Sequence, residues 1–470
     1  MIHKYKLGGY NICLDVHSGA VHVLDDIAYD VLDLCDEKMT EQPSGKIFDE
    51  LGKKYDKAEI AETYEALYEL YKDGMLFSPD DYEQFADMMT NAPIKSICIN
   101  ISHDCNLRCE YCFAAKGDFG QGRCLMPLET AKKAIDFIIA NSGTRRNLEV
   151  DFFGGEPLMN FEVVKKTVEY ARSIEKKFNK NFRFTITTNG LLLDDEKIEY
   201  INREMNNAVL SLDGRKEVND KMRVTPNGKG CYDIIVPKYQ KLVATRGDKD
   251  YYIRGTFTKY NLDFTNDILH YYYDLGFDQL SIEPVVSDPK LDYSIKYDDL
   301  PRVFEEYEKL ADTIIKSRKK GDYYNFFHFM IDLNQGPCAI KRLRGCGCGN
   351  EYVAVTPQGD IYPCHQFVGQ EDYKMGNLHD GTFDTDMKQM FAKANVYTKE
   401  NCKDCWAKFY CSGGCNANNF QYEGDIRKSH KTSCELEKKR LECAIMIKAA
   451  LAEDSDETPC DGEDCFTSCC

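Results

Sequence analysis

The chain has 470 residues, 43% of them hydrophobic and 29% charged, which is the composition of a globular protein with two to four domains. Its formal net charge of −18 argues against a nucleic-acid partner, because contacts to phosphates require Lys and Arg. No apolar run approaches the ~20 residues that span a bilayer, and residues 1–10 lack the apolar core of a signal peptide. We therefore expect a cytoplasmic protein without a membrane partner, whose 22 cysteines stay reduced.

The first predicted domain, residues 1–92, combines a small α+β module with a polar linker. Short alternating runs separated by glycine turns predict three strands, and helical periodicity then predicts three helices. These elements are expected at residues 1–7, 10–15, 20–24, 28–36, 44–55 and 57–73. Strands followed by helices in this order resemble a winged-helix peptide-recognition module. A purely structural N-terminal cap is the alternative.

The second predicted domain, residues 93–324, alternates strands with helices. Strands are expected at residues 96–102, 148–153, 182–188, 208–212, 252–258 and 279–286, with helices between them and after the last. Six strand–helix units imply a parallel sheet with right-handed crossovers. The fold class is therefore α/β, a partial (β/α)6 TIM-like barrel whose functional loops follow the C-terminal ends of its strands.

The third predicted domain, residues 325–452, is rich in glycine and cysteine. Pro357-Gln358-Gly359 separates two short strand patterns and predicts a hairpin, and residues 432–452 predict a closing helix. Because this segment can bury little apolar surface, we expect bound inorganic clusters to hold it together. The acidic tail, residues 453–470, contains four further cysteines and is expected to be disordered.

The first cysteine group follows the first barrel strand directly. Cys105, Cys109 and Cys112 are spaced C-x3-C-x2-C, and the aromatic residues Tyr111 and Phe113 flank the last of them. Three thiolates can bind three irons of a [4Fe–4S] cluster and leave the fourth iron open to a ligand, whereas a zinc site would need a fourth ligand. This loop, after a first barrel strand, resembles that of the radical SAM superfamily.

The resemblance extends to polar residues at the ends of later strands. It implies that Gly154, Gly155 and Glu156 contact the amino group of S-adenosylmethionine. It also implies contacts to the rest of that cofactor by Asn189, Ser211, Asp213, Arg223, Arg254 and Glu283. The alternative for each of these side chains is an ordinary hydrogen bond at the end of a strand. The implied chemistry is reductive cleavage of S-adenosylmethionine to a 5′-deoxyadenosyl radical that removes a hydrogen atom from the substrate.

The C-terminal cysteines resemble the SPASM extension of radical SAM peptide maturases, which binds two auxiliary [4Fe–4S] clusters. One cluster would be held by Cys402, Cys405, Cys411 and Cys434. The other would be held by Cys346, Cys364 and Cys415, and its fourth ligand would be Cys338, Cys348 or a substrate thiolate. The resemblance therefore implies three [4Fe–4S] clusters in all. A zinc ribbon is the alternative.

The chain most resembles the maturases of "six cysteines in forty-five residues" peptides. The resemblance lies in residues 1–15, in the segment from Gly345 to Tyr352, and in Cys364-His365-Gln366. It implies thioether crosslinks in a Cys-rich precursor peptide, whose leader would add to the strand from Ala20 to Leu24. An electron donor such as flavodoxin or ferredoxin is also implied. Sulfatase maturases usually carry Asp where this chain has His365, but they remain an alternative, as does an iron–sulfur carrier.

Overall fold

The computed structural model describes residues 1–86, 90–333 and 339–452; Cys338 and the tail 453–470, for which ligation and disorder were predicted, lie outside them. The chain forms two compact units. One contains Met1–Ser78, Glu308–Asp322 and the described residues after Leu441, and the other contains Pro79–Tyr307 and Tyr323–Leu441.

The first unit has the three strands and three helices that the sequence predicts. They are β1 (Ile2–Leu7), β2 (Tyr10–Asp15), β3 (Val21–Leu24), α1 (Asp26–Leu32), α2 (Gly45–Leu51) and α3 (Lys57–Lys72). The strands form an antiparallel sheet in the order β1-β2-β3, so β3 is an edge strand. Gly8 and Gly9 both have positive φ and form the two-residue turn between β1 and β2, a geometry that twists with the strands.

Helix α3 begins at a capping box. The Asp56 side chain accepts a hydrogen bond from Ala58 N, and the Glu59 carboxylate accepts one from the backbone N–H of Asp56. Ile60, Tyr64 and Leu67 recur at helical spacing and are buried, so they form the face of α3 that packs into this unit's core.

The second unit contains the predicted parallel sheet. Its parallel strands are β4 (Ser96–His103), β6 (Asn147–Gly154), β7 (Asn181–Thr188), β8 (Asn207–Ser211), β9 (Asp250–Phe257), β10 (Gln279–Pro284) and β11 (Asn325–Phe326), with β5 (Cys124–Leu125) antiparallel to β4. From β11 back to β4 the strands lie side by side in reverse chain order. This arrangement is the α/β partial barrel that the sequence predicts.

Helices connect and follow these strands. They are α4 (Leu128–Asn141), α5 (Phe161–Phe178), α6 (Asp195–Glu204), α7 (Lys216–Met222), α8 (Tyr232–Ala244), α9 (Phe264–Leu269), α10 (Leu300–Lys319), α11 (Ala339–Arg344), α12 (Thr385–Lys393), α13 (Lys408–Cys411), α14 (Asn416–Glu423) and α15 (Lys431–Ala452). The part of α10 from Glu308 and the part of α15 from Glu442 belong to the first unit. Along each central strand apolar residues are fully buried on one face, as are Val150 and Phe152 of β6. The alternate residues of β6 and β7 face the other side of the sheet and are polar, as are Asp151 and Thr185, except for Phe153.

The sheet continues into the cysteine-rich segment. Strands β12 (Tyr352–Val355) and β13 (Asp360–Tyr362) form the predicted hairpin, followed by β14 (Gly376–Asn377) and β15 (Thr382–Phe383). Strand β12 pairs in parallel with β4, an arrangement that the sequence does not predict. The first barrel strand is therefore paired on both sides, to β6 and to β12. Within the described ranges no helix is both long and apolar enough to cross a membrane.

Candidate functional site

The loop with Cys105, Cys109 and Cys112 begins two residues after the end of β4. Its backbone is held along one flank by the segment after α7. Arg108 N donates to Val224 O at 2.7 Å, and Glu110 N donates to Met222 O at 2.9 Å. Burial raises the pKa of the Cys105 thiol to about 12, so iron must displace a proton when it binds there.

The other flank of this loop rests on the glycine pair at the end of β6. Gly155 N donates to Ser102 O at 2.8 Å, and Glu156 N donates to Asp104 O at 2.9 Å. A Cβ on Gly155 would overlap Asp104 O and lie 2.8 Å from Gly117 O. Glycine is therefore required for close approach of two backbone segments, and contact of this pair with the amino group of S-adenosylmethionine stays a prediction.

Glu156 is buried and ties β6 to the end of β7. Its carboxylate accepts hydrogen bonds from Thr188 Oγ1 at 2.7 Å, Asn189 N at 2.8 Å and Leu158 N at 3.0 Å. Burial raises the pKa of Glu156 to about 7, although these hydrogen bonds oppose the shift. In this structure the carboxyl group positions strand ends, and its predicted contact with the cofactor is untested.

Asn189 and Ser211 lie where the sequence predicts, at the ends of β7 and β8. Asn189 Nδ2 donates to Asn106 Oδ1 at 2.8 Å and lies 3.6 Å from Cys105 Sγ, so this amide reaches the cysteine loop. The carbonyl of Ser211 accepts from Tyr239 Oη at 3.1 Å, and the same hydroxyl lies 3.2 Å from Thr188 O. Tyr239 thus joins the two strand ends, a role that nothing in its sequence context indicates.

Three of the predicted residues form a cluster in which Tyr111 of the loop is half-buried and Asp213 and Arg223 are buried. Asp213 accepts a hydrogen bond from the hydroxyl of Tyr111, and its other carboxylate oxygen accepts from Thr256 N at 2.9 Å. Arg223 Nε lies 3.0 Å from that second oxygen, and its guanidinium is 5.7 Å from the Tyr111 ring. Arg223 therefore forms an ion pair with Asp213, and its pairing with a cofactor carboxylate stays a prediction.

Arg254 and Glu283 pair with each other across neighbouring strands β9 and β10. Their Nη2 and Oε2 atoms are 2.7 Å apart. Burial favours the neutral acid, but Arg254 and nearby cations outweigh it and hold the pKa of Glu283 below its usual value. The pair is a charged element on the inner face of the barrel sheet.

An aromatic cluster connects the loop with the C-terminal cysteine-rich segment. The Phe113 ring is 6.3 Å from Phe153 and 5.6 Å from His365, and the last two rings are 4.9 Å apart. Burial lowers the pKa of His365 to about 4, with Arg254 adding to the shift, so the ring is neutral at pH 7. The sequence predicts only Phe113 as part of a site; the contact with His365 requires the folded chain.

Cys402, Cys405, Cys411 and Cys434 line one cavity, and their ligation of a cluster stays a prediction. The cavity has a volume of about 280 Å³, several times the ~30 Å³ of one water molecule. Among the described residues no three Cys, His, Asp or Glu side chains are close enough together to hold a single metal ion. An iron–sulfur cluster instead needs thiols spread around a void, and this set of soft thiol donors fits that group.

The second C-terminal group contains Cys346, Cys364 and Cys415, together with Cys348. These four thiols shift one another's pKa, which requires them to be close in space. A hydrogen bond from Cys348 lowers the pKa of the Cys364 thiol. Of the two protein candidates for the fourth ligand, Cys348 therefore lies with the group, whereas Cys338 is outside the described residues.

Residues 99–235 match the radical SAM superfamily, and residues 346–406 match the SPASM iron–sulfur cluster-binding domain. The chain thus carries a radical SAM domain and a SPASM domain. Together they imply [4Fe–4S] clusters and S-adenosylmethionine.

The proteins to which the chain is similar are distant in sequence. The chain is 26% identical over 339 residues to the cysteine-type anaerobic sulfatase-maturating enzyme of Clostridium novyi (strain NT), covering 67% of this chain and 86% of that enzyme. The structure of anSMEcpe with bound AdoMet and Kp18Cys peptide has a TM-score of 0.65 at 22% identity, covering 77% of this chain and 100% of that one. The structure of Streptococcus suis SuiB bound to precursor peptide SuiA has a TM-score of 0.51 at 17% identity, covering 92% of this chain and 98% of that one.

Proposed function

We propose that this protein is a radical S-adenosylmethionine enzyme that installs thioether crosslinks in a ribosomally made, Cys-rich precursor peptide. The observation that carries the proposal is the loop of three cysteines, which the ends of β4 and β6 and the segment 222–224 hold in place. Three thiols leave one iron of a [4Fe–4S] cluster to bind S-adenosylmethionine. When both are bound, the cluster and S-adenosylmethionine would supply the 5′-deoxyadenosyl radical that removes a hydrogen atom from a carbon of the peptide.

The C-terminal thiols support oxidative closure of the bond. Joining a cysteine sulfur to a carbon removes two hydrogens: one leaves as an atom to the deoxyadenosyl group, and the other leaves as a proton and an electron. The two cysteine groups of the SPASM domain would hold clusters that take up this electron. We propose Cys348 as the fourth ligand beside Cys346, Cys364 and Cys415, because its thiol lies with theirs. An external donor such as flavodoxin or ferredoxin would supply the reducing electron.

The first unit offers a strand edge to a leader peptide. Asp15 N donates to Ala20 O at 2.8 Å, so Ala20 is a hydrogen-bonded partner of β2. In an antiparallel pair, hydrogen-bonded and non-hydrogen-bonded residues alternate. The N–H and C=O groups of Val21 and Val23 therefore point away from β2. An extended peptide could pair with these outward groups. Binding there would raise the effective concentration of the core peptide at the active site.

The variant Val23→Pro tests this edge. It removes one outward N–H, while Asn11 and Cys13 of β2 keep their partners on β3. Loss of one backbone hydrogen bond should weaken leader binding at least about tenfold, measured by calorimetry with the leader of a precursor encoded beside this gene. Val23→Ala, which keeps the N–H, is the control, and equal affinities for Pro and Ala variants would place the leader elsewhere.

The activity itself is tested by anaerobic reaction of the reduced protein with S-adenosylmethionine and that full precursor. We expect 5′-deoxyadenosine, a loss of two hydrogens per bridge and a cysteine that no longer reacts with alkylating reagents. Cys109→Ala should abolish both products. Cofactor cleavage with an unchanged peptide mass would contradict the proposed substrate, and absence of 5′-deoxyadenosine would favour an iron–sulfur carrier.

A sulfatase-type maturase is the second candidate, because the relative from Clostridium novyi carries that name. It would convert a cysteine or serine of a sulfatase peptide to formylglycine. His365 argues against this activity, because Asp usually stands at that position in such enzymes. An aldehyde that reacts with hydrazine reagents, formed on a sulfatase peptide, would establish it.

A further inference from the structure

A buried lysine lies between the two C-terminal cysteine groups. Lys399 is 3% exposed and precedes Cys402 by three residues. Its ammonium donates to Gly413 O at 2.8 Å and to Asn416 Oδ1 at 2.6 Å. Both acceptors are neutral oxygens, and no carboxylate among the described residues is bonded to this buried ammonium.

The position of this ammonium is set by the segment that serves both groups. Cys411 belongs to the group around the 280 Å³ cavity, and Cys415, only four residues later, belongs to the other. Gly413 lies midway in sequence between Cys411 and Cys415, and Asn416 directly follows Cys415. Lys399 is therefore bonded to the segment that joins the two cysteine groups. A Cβ on Gly413 would lie 2.8 Å from Lys399 Cδ, and its φ is +81°, so glycine makes room for the lysine there.

The electrostatics agree with this placement. Burial lowers the pKa of Lys399, and the thiols that oppose this shift are Cys402 and Cys411 of one group and Cys415 and Cys346 of the other. A cluster ligated by thiolates carries negative charge that increases on reduction. A cation bonded at the junction of the two cysteine groups would therefore stabilise the reduced state of a cluster held by either group, because the charge around a cluster sets its reduction potential.

We propose that Lys399 is a shared positive charge that raises the reduction potentials of both auxiliary clusters and so favours their acceptance of the electron released on bond formation. The inference rests on the cluster ligation proposed above. Lys399 would act through the clusters, as a positioning and tuning residue that does not touch the peptide.

The test uses full-length protein, reconstituted anaerobically, with Cys105, Cys109 and Cys112 replaced by Ala so that only auxiliary signals remain. Potentials are measured by redox titration followed by electron paramagnetic resonance. Lys399→Met should lower both potentials, and Lys399→Arg, which keeps the charge, should recover most of the shift. Lys438→Met is the control, because Lys438 lines the same cavity but is partly exposed and pairs with Glu435 at 2.9 Å; its shift should be smaller.

Unchanged potentials in Lys399→Met, or a shift confined to one cluster, would overturn the inference. Loss of auxiliary iron from both the Met and the Arg variants would show a structural role and overturn it as well. Loss from Met alone would support the need for charge. If wild-type protein bound no iron at the SPASM cysteines, the proposed cluster ligation itself would be contradicted. Both the proposed function and the role of Lys399 would then lose their basis.

Discussion

At Gly155 the end of β6 contacts the backbone of the cysteine loop, and there is no room for a methyl group. Gly155→Ala should push the loop away, since its Cβ would overlap Asp104 O. We expect a large loss of iron at Cys105, Cys109 and Cys112 and a fall of at least about tenfold in 5′-deoxyadenosine formation, while auxiliary iron is retained.

Gly45→Ala provides the matched control for that substitution. Gly45 is the first residue of α2, and no neighbouring atom lies within 4 Å of the position that its Cβ would take. Iron content and cofactor cleavage should equal those of the wild type. An intact cluster in Gly155→Ala would contradict the steric argument.

Glu156 predicts a pH dependence of stability. Its pKa is about 7 in the folded protein, above its usual 4.5, so folding is favoured by protonation. Its full contribution is present below pH 4.5 and is lost as the pH rises to about 7. Wild-type stability relative to Glu156→Gln should therefore fall across this window by up to about 3 kcal/mol, at 1.36 kcal/mol per pKa unit. Chemical unfolding of both proteins from pH 4.5 to 7.5 measures it, and parallel curves would be inconsistent with the shift.

At this scale the sequence suggests candidate ligands more readily than the residues that support them. The spacing of Cys105, Cys109 and Cys112 predicts them as ligands because cluster ligation on one loop is a local property of a chain. Lys399 and Tyr239 could not be identified in this way, since their partners are distant in sequence or are backbone carbonyls. Arg223 and Asp213 were predicted separately, but only folding shows that they pair with each other.

Among the elements, the segment that starts at Pro79 is anchored to the SPASM region within the second unit. Asp80 accepts from Lys408 Nζ at 2.7 Å and from Tyr397 Oη at 2.6 Å, and the Tyr82 ring is 4.8 Å from that of Phe409. The Lys408 side chain is only 2% exposed and also lines the 280 Å³ cavity. Removing the Asp80 carboxylate would leave a buried ammonium without its counter-charge.

Asp80→Asn should therefore destabilise the protein by about 3 kcal/mol at pH 7, measured by chemical unfolding. Burial alone would raise the pKa of Asp80. The hydrogen bonds from Lys408 and Tyr397 lower this pKa by more than burial raises it, so the net pKa is below the usual value. The pair's contribution is thus present above about pH 4 and is lost as the pH falls through the folded-state pKa, where the two proteins should converge.

Glu83→Gln is the control, because the Glu83–Lys403 pair is more than half exposed and should contribute under about 1 kcal/mol. Equal losses in the two variants would count against the role of burial.

Strands and helices of the barrel follow from sequence because their periodicity is local. The hairpin of β12 and β13 is also predicted, since Pro357-Gln358-Gly359 determines its turn. The parallel pairing of β12 with β4 joins residues some 250 positions apart and has no local signature. The short helix α7, seven residues long, likewise lacks enough turns to show a period.

For the molecule as a whole, this pairing makes the barrel sheet depend on the C-terminal segment. Lys95 N and Ser96 N both donate to Glu351 O, at 2.8 and 3.2 Å, and Lys95 Nζ lies 3.2 Å from Glu351 Oε2. A chain shortened to residues 1–330 would expose the β4 edge to intermolecular pairing. We expect this chain to aggregate on size-exclusion chromatography, and a chain ending at residue 452 to behave like the full protein. A soluble, monomeric 1–330 chain would argue against the coupling.

The anchoring of the cysteine loop bears on how the enzyme would survive air. Neighbouring peptide groups, from Ser102 and Asp104 on one flank to Met222 and Val224 on the other, already define the shape of the loop. Oxygen that removed iron from the proposed cluster would therefore leave a loop that keeps its backbone conformation. Repair should need only fresh iron, sulfide and a reductant, without a chaperone or resynthesis of the chain.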